Sequence, residues 1–122
     1  MELNQQALDE LRALDPDGSG GLLAQIIHSY LSDAPDLMRQ IQAALARRDL
    51  PALTRQAHSL KSTSASLGAT RVSELARELE MASKNNAIEP CASMIGALAV
   101  EYAAAERLLR AECATLQGAQ KP

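Results

Sequence analysis

The sequence predicts an all-α protein, an antiparallel up-and-down four-helix bundle with an additional short N-terminal helix. Of its 122 residues, 23 are Ala and 19 are Leu, whereas only 5 are Ile, 2 are Val and none is Phe or Trp. Ala and Leu are strong helix formers, while sheets draw on β-branched and aromatic residues. Apolar residues recur at helical spacing in long stretches that are joined by short turns. Long amphipathic helices connected in this way pack as such a bundle.

The first half of the chain contains a short helix and then a longer helical region. Asn4 can cap the short helix, whose apolar residues end at Leu14. The segment 15–21, DPDGSGG, opposes a continuous helix, and a second helix is predicted from Leu22. Pro35 fits the first turn of a further segment. We therefore expect either one kinked helix or two separate helices between residues 22 and 45.

Two helices of similar length follow in the second half. Asp49 can cap the first of them, with Pro51 in its first turn. Gly68 is a natural left-handed terminator for this helix. Thr70 can cap the next helix, which is expected to end near Asn85.

The last helix is predicted from about Ile88 to Leu116. A single bundle domain over residues 1–116 is expected, because the length suits one compact core. Residues 117–122 are predicted to be a disordered tail.

Composition and charge exclude several classes of function. The net charge is −3, and basic blocks and aromatic platforms are missing, so nucleic-acid binding is not expected. The longest apolar run, 94–100, is far too short to cross a membrane, and the first residues do not form a secretory signal. Cys91 and Cys113 lie about 33 Å apart along one predicted helix and cannot pair within the chain. We expect a cytoplasmic monomer.

His58 lies on the outward face of its predicted helix. At about 100° per residue, Leu53, Leu60 and Leu67 fall on the opposite side of the helix. Lys61 and Ser62, three and four residues later, can reach back over the imidazole. Residues 50–73 contain no Asp or Glu, so an acid-free, cationic surrounding is expected, which suits a group that carries a phosphoryl anion. Taken alone, an exposed His beside a Lys is more often an ordinary surface residue without a functional role.

Other motifs favour structural roles. Residues 15–20 imitate the start of a calcium loop, but the twelfth position is Ile26, and an ordinary turn is the better interpretation. His28 is expected to be a solvated residue, and no metal site is predicted. Met81 and Met94 are interpreted as core residues. The hydroxyls between Ser59 and Ser66 have no acidic residue nearby to orient a base, so a Ser nucleophile is not favoured.

Residues 57–69, AHSLKSTSASLGA, resemble the signature of histidine-containing phosphotransfer (HPt) domains, in which His is followed by any residue, Leu, Lys, usually Gly, small residues, an aliphatic residue and Gly. The similarity extends from about Asn4 to Leu116 in size and helix order. Ser62 departs from the pattern, because it stands where the family most often has Gly. Since Ser is also small, access to His58 is expected to survive.

The resemblance implies that His58 accepts a phosphoryl group from the phospho-aspartate of one receiver domain and passes it to the aspartate of another. Receivers of a hybrid sensor kinase or a response regulator would be the partners. Lys61 is expected to give electrostatic support, and no intrinsic cofactor is expected, since Mg²⁺ would lie on the receiver. The docking face is expected at five positions around the histidine: Thr54, Arg55, Ser62, Ala65 and Ser66.

Two alternatives belong to other functional classes. The first is a non-catalytic helical adaptor that binds receivers without being phosphorylated. The second is the phospho-acceptor helix pair of a sensor kinase, which uses ATP directly. That family normally has an acidic residue after its His and a Pro several residues later, whereas Ser59 follows His58 here and no Pro occurs between His58 and Pro90. Walker-type and kinase motifs are also missing, so ATP binding and hydrolysis are not expected.

Overall fold

Five α-helices make up the chain in the computed structural model, which describes residues 2–119 and their side chains as far as residue 115. They are α1 (Gln5–Ala13), α2 (Leu22–Ala46), α3 (Leu50–Ser66), α4 (Thr70–Lys84) and α5 (Ile88–Ala119). No strand occurs in the described part of the chain. The predicted all-α bundle with a short additional helix is therefore confirmed.

Helices α2 to α5 form the bundle, and each packs against its neighbours in the chain. The most extensive contact is between α3 and α4, and α2 closes the bundle against α5. Their inward faces bury an aliphatic core, and α1 adds to one end of it through the fully buried Leu8. The core consists mainly of Leu and Ala, as the composition predicts.

Helix α2 resolves the open question about Pro35. The structure has one helix from Leu22 to Ala46, with Pro35 in its interior rather than in a first turn. Proline removes one backbone hydrogen bond, but the helix buries Tyr30 and Ala34 before it and Ile41 after it in the same core. Packing on both sides therefore holds the two halves of α2 in one element.

The caps of the shorter helices agree only in part with the expectations. Asn4 and Asp49 accept hydrogen bonds from the backbone N–H groups of Gln6 and Ala52, as predicted. The expected cap by Thr70 is wrong, because Ala69 is the N-cap residue of α4 and Thr70 is already helical. Its hydroxyl lies 3.4 Å from the carbonyl oxygen of Gly68.

Gly68 ends α3 with a positive φ of 73°, as the sequence predicts. Its carbonyl oxygen accepts a hydrogen bond from the Asn4 backbone N–H at 2.8 Å. A Cβ at position 68 would lie 2.5 Å from the Asn4 carbonyl oxygen. The glycine is therefore required both for the turn and for the close approach of α1.

The structure also tests the predictions for the 15–21 segment and for the two methionines. The carboxylate of Asp15 accepts hydrogen bonds from the backbone of Gly20 and Leu22, so the 15–21 segment is a turn held by its own acid. Met94 packs against the core, but the interpretation of Met81 as a core residue is wrong, since it is 50% exposed. It lies on the outward side of α4, whose inward side is already filled by Leu75 and Leu79.

The structure also places the two cysteines and the end of α5, for which the sequence made predictions. Cys91 and Cys113 are not paired with each other, as expected, and both are buried. Helix α5 extends to Ala119, three residues into the segment that was expected to be disordered. Residues 120–122 of that segment lie outside the described residues. No described helix is long and apolar enough to cross a membrane.

Candidate functional site

The outward orientation of His58 is confirmed. Its side chain is 58% exposed, while Ala57 and Leu60 on the same helix are fully buried in the core. Ser62 and Ala65, one and two turns later, are exposed and small. The imidazole is therefore open to a macromolecular partner.

A carboxylate that the sequence analysis missed contacts this imidazole. Nδ1 of His58 lies 2.8 Å from Oε2 of Glu80, which comes from α4 and is 6% exposed. The expectation of an acid-free surrounding is therefore wrong, because the absence of acids along α3 says nothing about the helix that packs beside it. The same correction applies to the statement that no acid lies near enough to orient a base.

The position of Glu80 could have been found from the turn between the helices. His58 and Glu80 lie 11 residues before and after Ala69, the residue that follows the predicted terminator Gly68. Two antiparallel helices that meet at this turn bring equidistant residues to the same level. This common level and the direction in which each side chain points together predict the contact, whereas the spacing of residues along α3 alone does not.

Lys61 contacts the same carboxylate. Its Nζ donates to Oε1 of Glu80 at 2.8 Å, and Nζ of Lys84 lies 3.7 Å from Oε2. The hydrogen bond from Lys61 is the main cause that lowers the pKa of Glu80; the bond from His58 also lowers it, while burial opposes both. Glu80 is therefore ionised at neutral pH, and the expected ammonium at the site is partly neutralised by it.

The ionised carboxylate fixes the proton on the imidazole. A carboxylate can only accept hydrogen bonds, so Nδ1 of His58 must carry the proton that joins it to Glu80. In the neutral ring, Nε2 is then the nitrogen with the free lone pair. No described residue makes a hydrogen bond to Nε2. The geometry thus presents one oriented, unoccupied nucleophile.

Hydroxyl groups hold α3 and α4 together on both sides of this pair. Oγ1 of Thr54 lies 2.6 Å from Oγ of Ser83, and the Ser83 hydroxyl donates to the backbone carbonyl oxygen of Glu80. At the other side, the hydroxyl of Ser73 donates to the carbonyl oxygen of Lys61 at 2.9 Å. Short polar side chains let the two helices approach closely, and the contacts fix the level at which Glu80 meets the imidazole.

The five predicted docking positions divide into two groups. Arg55, Ser62, Ala65 and Ser66 are exposed beside His58. Among the described residues, the Arg55 guanidinium has no ion pair or side-chain hydrogen bond. Thr54 is half-buried, and its hydroxyl is engaged in the contact between α3 and α4. The structure therefore brings four of the five together on an open face.

An apolar groove continues this face toward α2. It has a volume of about 320 Å³ and is bordered by Ser66 at the end of α3. Its remaining lining comes from α1, α2 and the end of α3: Leu11, Ile26, Ser29, Tyr30, Asp33, Thr63 and Leu67. This groove was not predicted from the sequence, because it forms only where three helices meet.

Tyr30 forms the floor between the groove and the core. Its hydroxyl lies 2.7 Å from Oγ of Ser64, which is fully buried on the inward face of α3. Burial raises the pKa of Tyr30 to about 12, so the phenol is neutral at any physiological pH. This buried hydrogen bond fixes α2 against α3 behind His58.

The other histidine has a different surrounding. His28 is exposed on α2, as expected, and its Nε2 lies 3.9 Å from the Sγ of Cys113. It has no carboxylate partner among the described residues. Within that part of the chain, no group of three or more His, Cys, Asp or Glu side chains is placed to hold a metal ion.

Comparisons with known proteins agree with this geometry. The family profile described as Hpt domain matches residues 25–119. The solved structure of histidine-containing phosphotransfer protein B (HptB) from Pseudomonas aeruginosa PAO1 is similar, with a TM-score of 0.84 and 24% sequence identity over 93% of this chain and 95% of that one. A comparison with curated protein sequences finds no significant match. The profile thus covers α3, α4 and most of the bundle, whereas α1 precedes it.

Proposed function

Since the chain belongs to the Hpt domain family and is a histidine phosphotransfer carrier of phosphorelays, we propose that His58 is its phospho-acceptor. The observation that supports this most directly is the hydrogen bond between Nδ1 of His58 and Glu80, which leaves Nε2 as an exposed lone pair. We further propose that the donor is the phospho-aspartate of one receiver domain and that the acceptor is the aspartate of another.

The transfer follows from the chemistry of the two groups. The lone pair on Nε2 attacks phosphorus while the bond between phosphorus and the aspartate oxygen breaks, and the electrons of that bond remain on the departing carboxylate. The imidazole gains positive charge as the new bond forms, and the Glu80 carboxylate on Nδ1–H stabilises that charge. No proton has to leave Nε2, so a general base is not needed. The reverse steps deliver the phosphoryl group to the next aspartate.

Lys61 has two tasks in this proposal. Its hydrogen bond to Oε1 orients Glu80 and keeps it ionised. Its side chain is also 28% exposed, and its ammonium, bound to the carboxylate that contacts the imidazole, offsets part of the roughly −2 charge that a phosphoryl group brings. The expected role in electrostatic support is therefore retained and extended to the positioning of Glu80.

The receiver is expected to supply the metal ion and the remaining groups that the transfer requires. Phosphoryl transfer depends on in-line placement and on neutralisation of charge, and we propose that Mg²⁺ is held by the receiver. We expect the receiver to dock on Arg55, Ser62, Ala65 and Ser66 and to place an apolar side chain in the adjoining groove. Because a relay requires rapid release, the interface should be at or below about 1,200 Å². A cytoplasmic location, where receivers act, belongs to the same proposal, as does the expectation that the chain does not bind ATP.

Labelling by a phosphorylated receiver tests the assignment. Receivers carrying radioactive phosphoryl groups are incubated with the wild-type protein, with His58→Gln and with His28→Gln. We expect label on the wild type and on His28→Gln, labile in acid and stable in alkali, and none on His58→Gln. His28 is the matched control, because it is also exposed but has no carboxylate partner among the described residues. Label retained by His58→Gln would overturn the assignment, and receiver binding without any label would favour the adaptor.

A further inference from the structure

The side of α5 that points away from the core is apolar over three turns. Leu98 faces inward and is 1% exposed, whereas Val100, on the opposite side, is 70% exposed. We call the outward residues between 92 and 103 the α5 patch; they are small or apolar and all exposed: Ala92, Ser93, Gly96, Ala97, Ala99, Val100 and Ala103. A helix that is apolar on both sides is typical of one that packs between two partners.

Opposite charges lie at the two ends of this patch. Glu89 and Arg107 are nine residues before and nine residues after Leu98. Nine residues at about 100° correspond to half a turn beyond two full turns, so both side chains lie on the outward face together with Val100. Both are exposed, and among the described residues neither has an ion pair or a side-chain hydrogen bond.

We infer that the α5 patch binds the same patch of a second copy of this chain, with the two helices antiparallel. A two-fold axis at the level of Leu98 places Glu89 of each copy opposite Arg107 of the other. The same axis places Val100 of each copy beside Gly96 of the other, since these residues lie two positions after and two positions before Leu98. The charge pattern and the packing pattern are thus self-complementary in one register, as a two-fold interface requires.

The glycine is suited to this contact. Nothing lies within 4 Å of a Cβ built at Gly96, so the space above it is open in the single chain. Small residues let two helix axes approach closely, and a neighbouring Val side chain can then fill the depression. The interface would be smaller than that of a standard stable complex, so we expect an association that depends on concentration. This differs from the expectation of a monomer.

The dimer leaves the phosphotransfer site open. Helix α5 packs on α2 and α4, and among the described residues its Cα atoms do not come within 8 Å of those of α3, which carries His58. The two His58 side chains would therefore lie on faces away from the shared helix pair. The inference does not depend on the role of His58, and either can fail without the other.

Sedimentation velocity with the purified full chain tests the inference at protein concentrations from about 10 µM to 1 mM. We expect the mass of the wild type to rise from 13.0 kDa toward twice that value. Val100→Glu should weaken the association at least tenfold. Glu89→Arg and Arg107→Glu should each weaken it about fivefold, and the double variant Glu89→Arg/Arg107→Glu should return to within about twofold of the wild type.

Matched controls separate this contact from general effects of charge or hydrophobicity. Leu14→Glu removes another exposed apolar side chain, and Glu78→Arg makes the same charge change on α4; both should associate like the wild type. Circular dichroism of each variant verifies the fold. A wild type that stays monomeric at 1 mM, or a double variant as weak as the single ones, overturns the inference. If only receiver binding responds to Val100→Glu, the patch serves another partner and the self-association is wrong.

Discussion

At the scale of single residues, the contact between Glu80 and His58 determines the chemistry. The carboxylate selects the tautomer of the imidazole and stabilises its positive charge, so its two contributions can be separated by substitution. Gln keeps an oxygen that can accept from Nδ1–H but removes the charge, whereas Ala removes both. We expect the rate of labelling to fall about tenfold in Glu80→Gln and about hundredfold in Glu80→Ala. Equal rates in both variants would contradict a separate contribution of the hydrogen-bond acceptor, and a wild-type rate in Glu80→Gln would contradict a contribution of the charge.

The same residue gives a dependence of stability on pH. The pKa of Glu80 is lowered in the folded state, so the ion pairs stabilise the fold above the ordinary glutamate value of about 4.5, and this stabilisation is lost as the pH falls through the folded value. Urea unfolding at pH 7 should show the wild type about 1–3 kcal/mol more stable than Glu80→Gln. The difference should shrink between pH 5 and pH 3. A constant difference would contradict the assigned ionisation.

Lys61 and Lys84 contact one carboxylate from different distances. Lys61→Ala removes the 2.8 Å hydrogen bond and the half-buried ammonium, and we expect a folded protein whose transfer is about tenfold slower. Lys84→Ala is the matched control: its Nζ is 3.7 Å away and its side chain is 61% exposed, so the rate should change less than twofold. Stopped-flow transfer from one phosphorylated receiver compares the two. An unchanged rate in Lys61→Ala would contradict the proposed role of Lys61 in transfer.

At the scale of elements, the turn between α3 and α4 holds the site and α1 together. Gly68→Ala introduces a Cβ at 2.5 Å from the Asn4 carbonyl oxygen in a left-handed backbone conformation. Gly18→Ala has nearly the same φ, 71°, but nothing lies within 4 Å of its Cβ. We expect urea unfolding to show a loss of about 1–2 kcal/mol for Gly18→Ala and about 2–4 kcal/mol for Gly68→Ala. Equal losses would show that the contact with α1 contributes nothing.

This turn also shows why some features could be predicted from the sequence and others could not. The outward direction of His58 and the caps at Asn4 and Asp49 depend on neighbours within a few residues, and local spacing contains that information. The contact with Glu80 depends on which helix packs beside α3 and at what level. The expectation for Met81 failed for the same reason, since apolar character alone does not tell which side of α4 is already filled.

At the scale of the whole molecule, cations surround the phosphotransfer site although the net charge is −3. One carboxylate, Glu80, is shared there by Lys61 and Lys84, while Arg55 has no ion pair among the described residues. Helices α3 and α4 together carry five Lys or Arg and three Asp or Glu, whereas α1, α2, α5 and the turn at 15–17 carry four Lys or Arg and ten Asp or Glu. The molecule is therefore electrostatically polarised, with its positive region at the face that receives an anionic group.

This polarity should control the rate of encounter with a phosphorylated receiver. The second-order rate constant for transfer should fall several-fold when NaCl is raised from about 50 to 500 mM, because salt screens the attraction.

Arg55→Glu should lower that constant about tenfold while leaving the maximal transfer rate within about twofold, since Arg55 guides docking but does not contact Glu80. Arg110→Glu makes the same charge change on α5, away from α3, and should leave the rate constant within about twofold of the wild type. Rapid-quench measurements at low protein concentration keep self-association from contributing. If Arg110→Glu slows transfer as much as Arg55→Glu, the total charge matters rather than its placement beside His58.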